Sequence, residues 1–334
     1  MLDDRKAAIL RAVVQEYIET AQPVGSAHVT RAGELTVSSA TVRNEMALLE
    51  REGYLIQPHT SAGRIPTDKG YRFFVDQLTT PGGLQPAQRQ QVRDFFAHAH
   101  GELEQMLHET SQLLSGLTDY AAVVLGPPHE VAFIRSAQLV ALGPRVALLV
   151  LVLSNGVIEK HSIDLGADVG EERVSAASAR LAAHLVGTAV ADPVSAPPSG
   201  DPGIDAIVGA AVSALTSAGS DDVPDQVFVG GASRMAAAFD AVETVRSVLS
   251  ILEQQYVVVS LLRDVIDSGL SVAIGAEHGV EPLAECSVVV ANYDVDGEHG
   301  GAIGVLGPTR MNYPQALAAV AVVSQRLGRH LAEG

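Results

Sequence analysis

The sequence predicts an α+β fold: an amino-terminal winged helix-turn-helix, followed by an α+β domain that carries an inserted, mainly helical module. Three observations lead to this prediction. Helical periodicity gives way after residue 52 to two short strand patterns around a turn. A Gly/Pro-rich linker, TTPGGLQPAQ, follows at 79–88. After residue 165 the patterns are mainly helical, interrupted by the single strand pattern DQVFVGG, and strand patterns resume at 270, which indicates an insertion.

Composition excludes several classes of protein. A hydrophobic fraction of 47% over 334 residues is typical of a globular chain. The longest apolar run, Val146 to Leu153, is far shorter than the roughly 18 residues that a membrane-spanning helix needs. The acidic opening MLDDRKAAIL is unlike a signal peptide, and the single cysteine, Cys286, excludes an internal disulfide or a cysteine-rich zinc site. We therefore expect a cytoplasmic protein.

Charge is divided unevenly along the chain. The net charge is −17, but residues 1–80 carry only −1 and the remainder carries −16. A nearly neutral front attached to an acidic body confines any nucleic-acid contact to the front, because the acidic body repels phosphates.

The front begins with two helical segments joined by a turn. Asp3 to Thr20 predicts a first helix, which is followed by Pro23. Its apolar side holds Ile9, Val13, Val14, Tyr17 and Ile18. Ser26 is a typical cap for a second helix, SAHVTRAG, and Gly33 closes it. This order of helix, turn and helix is typical of DNA-binding proteins.

A third helix is predicted within Val37 to Tyr54. Ser38 or Ser39 can cap its amino end, and Gly53 ends it. One apolar stripe on this helix is formed by Val42, Met46 and Leu49.

The opening turns of the third helix point Thr41, Arg43 and Asn44 away from the apolar stripe. In the major groove Arg can pair with guanine and Asn with adenine, whereas the hydroxyls of Ser38, Ser39 and Thr41 can reach phosphates. We therefore predict a DNA recognition helix. The alternative is a helix-turn-helix that serves protein contact or core packing.

The next segment predicts a two-stranded wing and a fourth helix. Residues 54–56 and 64–66 have strand patterns around an exposed tip at 58–63. The helix TDKGYRFFVDQL then closes the first domain near residue 78.

Basic side chains accompany the wing. We predict that His59 on the tip contacts DNA and that Arg64 and Lys69 neutralise phosphates beside the groove. Arg51 and Arg72 are equally consistent with surface charges that only support solubility.

Two stretches of the front, SSATVRNEM and PHTSAGRIPTDKGYR, resemble the amino-terminal segment of HrcA, a family of heat-inducible transcription repressors. Looser matches follow in VFVGGASRM, SVAIGAEH and LGPTRMNYPQA. The resemblance implies a GAF-like body with an inserted dimerisation module. It also implies a homodimer that binds an inverted-repeat operator upstream of chaperonin and chaperone operons, loses repression on heating, and is kept active by the chaperonin.

The expected domains are 1–78 for the winged helix, 79–118 for the linker and a long amphipathic helix, 119–190 with 269–334 for the GAF-like domain, and 191–268 for the inserted dimerisation module.

The long helix is inferred from a heptad seam. This seam holds Val92, Phe96, Ala99, Leu103, Met106, Thr110, Leu113 and Leu117. It predicts either a helix across its own sheet or a helix that packs against its twin in a dimer.

The body begins with the strand patterns VAFIRSAQLVAL, RVALLVLVL and VIEKHSIDL, which are joined at Gly143-Pro144 and at an Asn155-Gly156 hairpin turn. Asp168 and Glu171 predict a capping box for a helix of about 171–189. The remaining predicted elements are helices around 205–217, 232–268 and 314–331, the strand DQVFVGG, and strands at 270–275, 286–294 and 301–306.

The sequence shows no catalytic, cofactor-binding or metal-binding signature. The glycines from Gly297 to Gly307 miss the GxGxxG spacing and are interpreted as turn residues. The histidines and glutamates at His98, His100, Glu102, Glu104 and His108 lie on the polar side of the seam and are interpreted as solvated. Cys286 is interpreted as a buried apolar residue.

Two other functions stay open at this point. In the first, the body binds a metabolite and the protein is a small-molecule-sensing regulator with a winged helix. In the second, an enzyme carries an appended DNA-binding domain, which the missing nucleophile, base and metal groups disfavour.

Overall fold

The computed structural model has a mixed α+β fold. It describes residues 2–31, 37–60, 62–78, 83–99, 103–127, 132–153, 157–190, 192, 196–218, 226–234, 239, 242–268, 271–295 and 297–333. Residues 2–78 are called the amino-terminal unit below, and residues 83–333 are called the body.

The amino-terminal unit contains four helices and a short β-ribbon within the described residues. In chain order these are α1 (Asp4–Thr20), α2 (Ser26–Arg31), α3 (Ser39–Arg51), β1 (Leu55–Ile56), β2 (Ile65–Pro66) and α4 (Asp68–Asp76). Side chains cap three of the helices, because Asp3, Ser38 and Thr67 each accept a hydrogen bond from a first-turn amide. The predicted end of α2 at Gly33 lies outside the described residues.

A five-stranded antiparallel sheet forms the centre of the body. Its strands are β3 (Ala121–Leu125), β7 (Val227–Gly230), β8 (Val272–Ile274), β9 (Cys286–Val295) and β10 (Glu298–Pro308), in the order β7-β3-β10-β9-β8. One face packs against α6 (Leu103–Thr118) and α11 (Tyr313–Glu333), and the other against α9 (Val242–Leu252) and α10 (Gln255–Asp267). The core under α11 continues into the amino-terminal unit.

The predicted long helix is two helices, α5 (Pro86–His98) and α6. Helix α5 ends because Ala99 has an extended backbone, with φ −69° and ψ 108°. Gln88, near the start of α5, donates to the carbonyl of Leu117, near the end of α6, at 3.2 Å. The two helices therefore lie side by side, and the prediction of one continuous heptad seam is wrong.

A second sheet has three strands in the order β4-β5-β6. These are β4 (Ile134–Ala141), β5 (Val146–Leu153) and β6 (Ile158–Asp164), as the three sequence patterns predict. Helices α7 (Glu171–Leu185) and α8 (Pro202–Ala218) cover one face and share a core with it. The predicted Asn155-Gly156 turn lies outside the described residues.

The chain leaves the five-stranded sheet after β3 and returns to it at β7. The prediction that the strands before residue 190 share a sheet with those after 269 is therefore wrong for β4, β5 and β6. Alternation could not separate the two cases, because a half-buried strand has the same period in either sheet. The chain between β3 and β7 contains the three strands β4, β5 and β6, whereas the sequence predicted a mainly helical insertion at 191–268.

The predicted capping box of α7 is also wrong. Gly170 occupies the N-cap position without a side-chain hydrogen bond. Asp168 instead accepts a hydrogen bond from Nε of Arg145 at 2.6 Å, so its carboxylate is directed towards the loop before β5.

The glycines near the end of the chain have two roles. Gly297, with φ +85°, occupies the turn between β9 and β10, as predicted. Gly300, Gly301, Gly304 and Gly307 lie inside β10, so their interpretation as turn residues is wrong. A side chain does not fit there: a Cβ on Gly307 would lie 2.7 Å from the ring of Tyr120.

Among the described residues no single helix is long and apolar enough to cross a membrane, and only the bent pair Thr244–Leu252 and Tyr256–Asp267 meets the length and composition criteria jointly.

Candidate nucleic-acid interface

Helix α3 presents a polar face at its amino end. Ser38 has an extended backbone, and its Oγ accepts a hydrogen bond from the amide of Thr41 at 3.2 Å. The two hydroxyls of Ser38 and Thr41 lie 2.9 Å apart. Amides that point outward and the positive end of the helix dipole make this end suited to a phosphate.

The two faces of α3 differ sharply. Val42, Met46 and Leu49 are 0% exposed, as the apolar stripe predicts. Arg43 and Asn44 are exposed, and neither side chain forms a hydrogen bond or ion pair with any residue that the structure describes. Both side chains are therefore available to an external partner.

Ser39 differs from its neighbour Ser38. Its Oγ lies 3.0 Å from Oγ of Ser26 at the start of α2, and either hydroxyl can donate. This bond joins the two helices of the helix-turn-helix and fixes part of the angle between them.

The β-ribbon after α3 is held at its tip and at its base. Gln57 donates to the carbonyls of Thr60 and Ala62 at 3.1 and 2.9 Å. The exposed tip presents His59 to solvent. At the base, Val24 and Arg64 exchange two backbone hydrogen bonds of 2.9 Å.

Gly63 permits the close approach at the base of the ribbon. A Cβ at this position would lie 2.5 Å from the carbonyl carbon of Val24. Any side chain at residue 63 would therefore push the ribbon away from the loop between α1 and α2.

Arg64 and Lys69 have partners inside the amino-terminal unit. Nε of Arg64 donates to the carboxylate of Glu50 on α3 at 3.0 Å. Nζ of Lys69 donates to the carbonyl of Glu52 at 2.9 Å and lies 4.3 Å from the centre of the Tyr54 ring. Lys69 thus stabilises the carboxyl end of α3, at the opposite end from Arg43 and Asn44.

Several residues that position this face were missed in the sequence. Glu50, Gln57 and Gly63 orient the ribbon on α3 and on the loop before α2. The only sequence signal was the glycine directly before Arg64, which marks close backbone approach as readily as a turn.

Helix α4 joins the amino-terminal unit to the body. Arg72 donates from Nε to Glu277 at 2.9 Å and from Nη2 to the carbonyl of Val272 at 2.7 Å. Arg72 is therefore a structural residue, unlike Arg51, which is exposed on α3. Burial raises the pKa of the Glu277 carboxyl, but the hydrogen bonds and charge of Arg72 outweigh it and leave that pKa below its usual range.

The other titratable groups singled out in the sequence are only partly described by the structure. In the described part of the chain no group of three His, Cys, Asp or Glu side chains is placed to hold a metal ion. His98, Glu104 and His108 are exposed, whereas His100 and Glu102 lie outside the described residues. Cys286 is 0% exposed, and burial raises the pKa of its thiol to about 12, which confirms a buried apolar residue.

Comparison with known proteins identifies the chain's relatives. A family model described as the HrcA protein C-terminal domain matches residues 104–317. Proteins named heat-inducible transcription repressor HrcA are 38% identical in Streptomyces avermitilis, with 100% of both chains covered, and 40% identical in Acidothermus cellulolyticus, with 100% of both chains covered. The protein of that name from Nocardia farcinica is 39% identical over 99% of this chain and 97% of its own.

A solved structure has the same fold along the whole chain. It is described as a hypothetical protein at 2.2 Å resolution, is 24% identical, and superimposes with a TM-score of 0.69 over 100% of this chain and 99% of its own. With a model match over most of the body and relatives that align from end to end, the chain belongs to the HrcA family of heat-inducible transcription repressors.

Proposed function

We propose that the protein is a dimeric repressor that binds an inverted-repeat operator upstream of chaperonin and chaperone operons. The observation that carries this proposal is the exposed pair Arg43 and Asn44 on the first turns of α3, beside a β-ribbon. Guanidinium and carboxamide groups are the side chains that pair with guanine and adenine in the major groove.

The order of α1, α2, α3, β1 and β2 supports a winged helix in which α3 enters the major groove. In this arrangement Ser38 and Thr41 reach a phosphate at the amino end of α3, and His59 on the wing tip reaches the backbone nearby. Ser39 has a partner on α2 and contributes through the orientation of α3.

Arg64 and Lys69 have two proposed roles. In the first role, their hydrogen bonds to Glu50 and Glu52 orient the wing and α3. In the second role, their positive charge reduces the electrostatic repulsion between DNA phosphates and these two glutamates. We assign direct base contact to Arg43 and Asn44 only.

The open face of the three-stranded sheet supports the proposed homodimer. The face away from α7 and α8 carries Val146, Leu148, Val150 and Val152 on the central strand β5. On the flanking strands Val140 is 40% exposed and Ile158 is 51% exposed. The other flanking positions on this face are polar, namely Ser136, Gln138, Lys160 and Ser162, so the apolar area is the row on β5 with Val140 and Ile158 at its sides. An exposed apolar row of this kind is typical of a protein interface. We therefore propose that residues 132–218 form the dimerisation module and that the remaining body is a GAF-like domain.

Heat acts on this dimer through stability. Native domains are stable by only about 5–15 kcal/mol, so a repressor near the lower limit loses its binding-competent fraction on modest warming. A chaperonin that refolds the inactive chain then restores repression. In this scheme the amount of free chaperonin sets the amount of active repressor.

A titration by fluorescence anisotropy tests the proposal. The inverted repeat and a scrambled duplex are compared at two temperatures, with and without chaperonin. We expect preference for the inverted repeat at the lower temperature, loss of binding on warming, and recovery with chaperonin. Equal affinity for both duplexes at both temperatures would contradict the proposal.

A cavity in the body favours a second candidate function, the sensing of a small molecule. It has a volume of about 350 Å³ between the end of α10 and the ends of β3, β9 and β10. Its polar lining side chains are Arg263, Asp267, Asn292 and His299, and its apolar lining includes Leu125, Ile266 and Ala302. A ligand at 100 times its dissociation constant would add about 2.7 kcal/mol to the free energy of unfolding, which a thermal-shift screen detects.

A further inference from the structure

Arg72 on α4 and Glu277 on the turn after β8 hold the amino-terminal unit against the body. Two contacts join the guanidinium to this carboxylate, one of 2.9 Å from Nε and a second from Nη2. Arg72 also donates to the carbonyl of Val272 at 2.7 Å. A planar guanidinium with three acceptors fixed in place defines an orientation as well as a distance. This pair is called the Arg72–Glu277 latch below.

The turn that carries Glu277 is built to receive α4. Glu277 accepts a hydrogen bond from the amide of Ile274 at 2.9 Å, which fixes its carboxylate on the turn. Gly275 has φ +56°, and a Cβ there would lie 2.2 Å from the carboxylate of Asp68 at the start of α4. Glycine is therefore favoured at 275, because φ is positive there and any other residue would have to displace the Asp68 side chain.

An aromatic contact lies beside the latch. The rings of Tyr71 and Tyr313 are 6.0 Å apart, and both residues are buried, at 2% and 0% exposure. Burial raises the pKa of both hydroxyls, so both stay neutral at physiological pH. The docked surface thus combines an apolar contact with a directional ion pair.

The latch matters because α4 is the last element of the amino-terminal unit. Helix α4 packs on α1, and α1 packs on α3, so the position of α4 fixes the position of α3. Between α4 and α5 the covalent connection runs through residues 77–85. A connection of that length alone allows many orientations of α3 relative to the body.

We propose that the Arg72–Glu277 latch sets the separation of the two α3 helices in the dimer and so selects the spacing of the operator half-sites. The inference rests on the proposed function. Two half-sites are bound together only when the two helices match their distance and phase along the duplex. If α3 is held rigidly on the body, the dimer binds one half-site spacing with high affinity. If α3 is loosely tethered, the dimer binds several spacings with lower affinity.

Binding to operators of graded spacing tests the latch. The half-sites are moved apart in steps of one base pair, and affinity is measured for the wild type, Arg72→Ala and Glu277→Gln. We expect a sharp optimum for the wild type. Both variants should lose about 10-fold at the optimum, show a flatter profile, and bind a single half-site as the wild type does. A wild-type profile in both variants would overturn the proposal.

Two further measurements separate the latch from general damage. The double variant should lose no more than Arg72→Ala alone, because that change already removes every contact with Glu277, and additive losses would contradict the pair. Asp76→Asn is the matched control, since it removes only the charge of the carboxylate that Arg72 contacts at 3.5 Å along α4. Its spacing profile should stay sharp.

A measurement without DNA distinguishes failure of the latch from failure of the proposed function. A spin label at Arg11→Cys, on the exposed side of α1, reports the distance between the two amino-terminal units of a dimer. We expect a narrow distance distribution that broadens in Arg72→Ala. If the wild type does not bind the inverted repeat, the proposed function is rejected. If the distance distribution of Arg72→Ala equals that of the wild type, the latch is rejected, whatever the result with DNA.

Discussion

Helix α3 and strand β5 each leave one face uncovered, but the chemistry of the two faces is opposite. The inner face of α3 is apolar and buried, and its outer face carries Arg43 and Asn44. Strand β5 buries Ala147, Leu149, Leu151 and Leu153 against α7 and α8, and its outer face is also apolar.

The difference shows which partner each face fits. Polar side chains that have no partner within the protein are well solvated by water, and they can form specific hydrogen bonds with base edges. Apolar side chains on a sheet lower their free energy when another apolar surface removes them from contact with water. This difference is the basis for proposing that the first surface binds a duplex and that the second pairs with another copy of the chain.

The largest effect is expected from a charge on the apolar face. Val150→Asp places a carboxylate at the centre of β5, between Gln138 and Lys160 on the neighbouring strands. Pairing of two such faces would bury the charge, so we expect monomers and a loss of operator affinity of about 100-fold or more. Sedimentation velocity and anisotropy measure the two effects.

The matched control for this change is Ala176→Asp on the exposed side of α7. It adds the same carboxylate to the same module, and we expect a dimer with unchanged affinity. A dimer of normal stability in Val150→Asp would show that another surface pairs the chains.

A smaller loss is expected on the polar face. Arg43→Ala should weaken binding to the operator about 5- to 140-fold, which is about 1–3 kcal/mol, and leave the melting temperature unchanged. Arg51→Ala is the control, because Arg51 is an exposed arginine at the other end of the same helix. Equal losses in the two variants would mean that α3 contributes only charge.

A still smaller effect is expected at the carboxyl end of α3. Lys69→Ala removes the bond to the carbonyl of Glu52 and the contact with Tyr54, which should lower the free energy of unfolding by about 0.5–1 kcal/mol. Urea denaturation measures this change. The salt dependence of DNA binding should keep its slope, whereas a slope reduced by about one unit would place Lys69 on a phosphate.

The smallest effect is expected from a thiol reagent. Burial raises the pKa of Cys286 to about 12, so the thiol is neutral and shielded at pH 8. Iodoacetamide should leave operator affinity unchanged below the melting temperature. Rapid alkylation of the folded protein, followed by mass spectrometry, would show that β9 opens to solvent while the amino-terminal unit still binds.

Local features of this fold were predictable from the sequence. The bounds of α1, α3 and α4 follow from apolar spacing and from caps within a few residues, such as Ser38 and Thr67. The free outer side chains of α3 follow from the same periodicity. These signals are short-range, so one chain segment contains all of the information.

Long-range features were not predictable. Arg72 and Glu277 are 205 residues apart, and neither has a local pattern that names the other. The division of the strands between two sheets is similar, because alternation shows that a strand is half-buried but not which strand lies beside it. The same limit applies to the glycines of β10, whose small size reflects neighbours such as Tyr120.

The pairing of β3 with β10 has a consequence for synthesis of the protein. Strand β3 pairs with β7 at 227–230 on one side, but its partner on the other side comes only at 302–306, and α11 then covers that sheet at 313–333. A chain still on the ribosome therefore contains all residues of the amino-terminal unit long before it contains the sheet and the turn that hold this unit in place. In the proposed arrangement, a chain that stops before residue 298 keeps α3 but lacks β10 and α11, and with them the completed sheet against which the Arg72–Glu277 latch is formed.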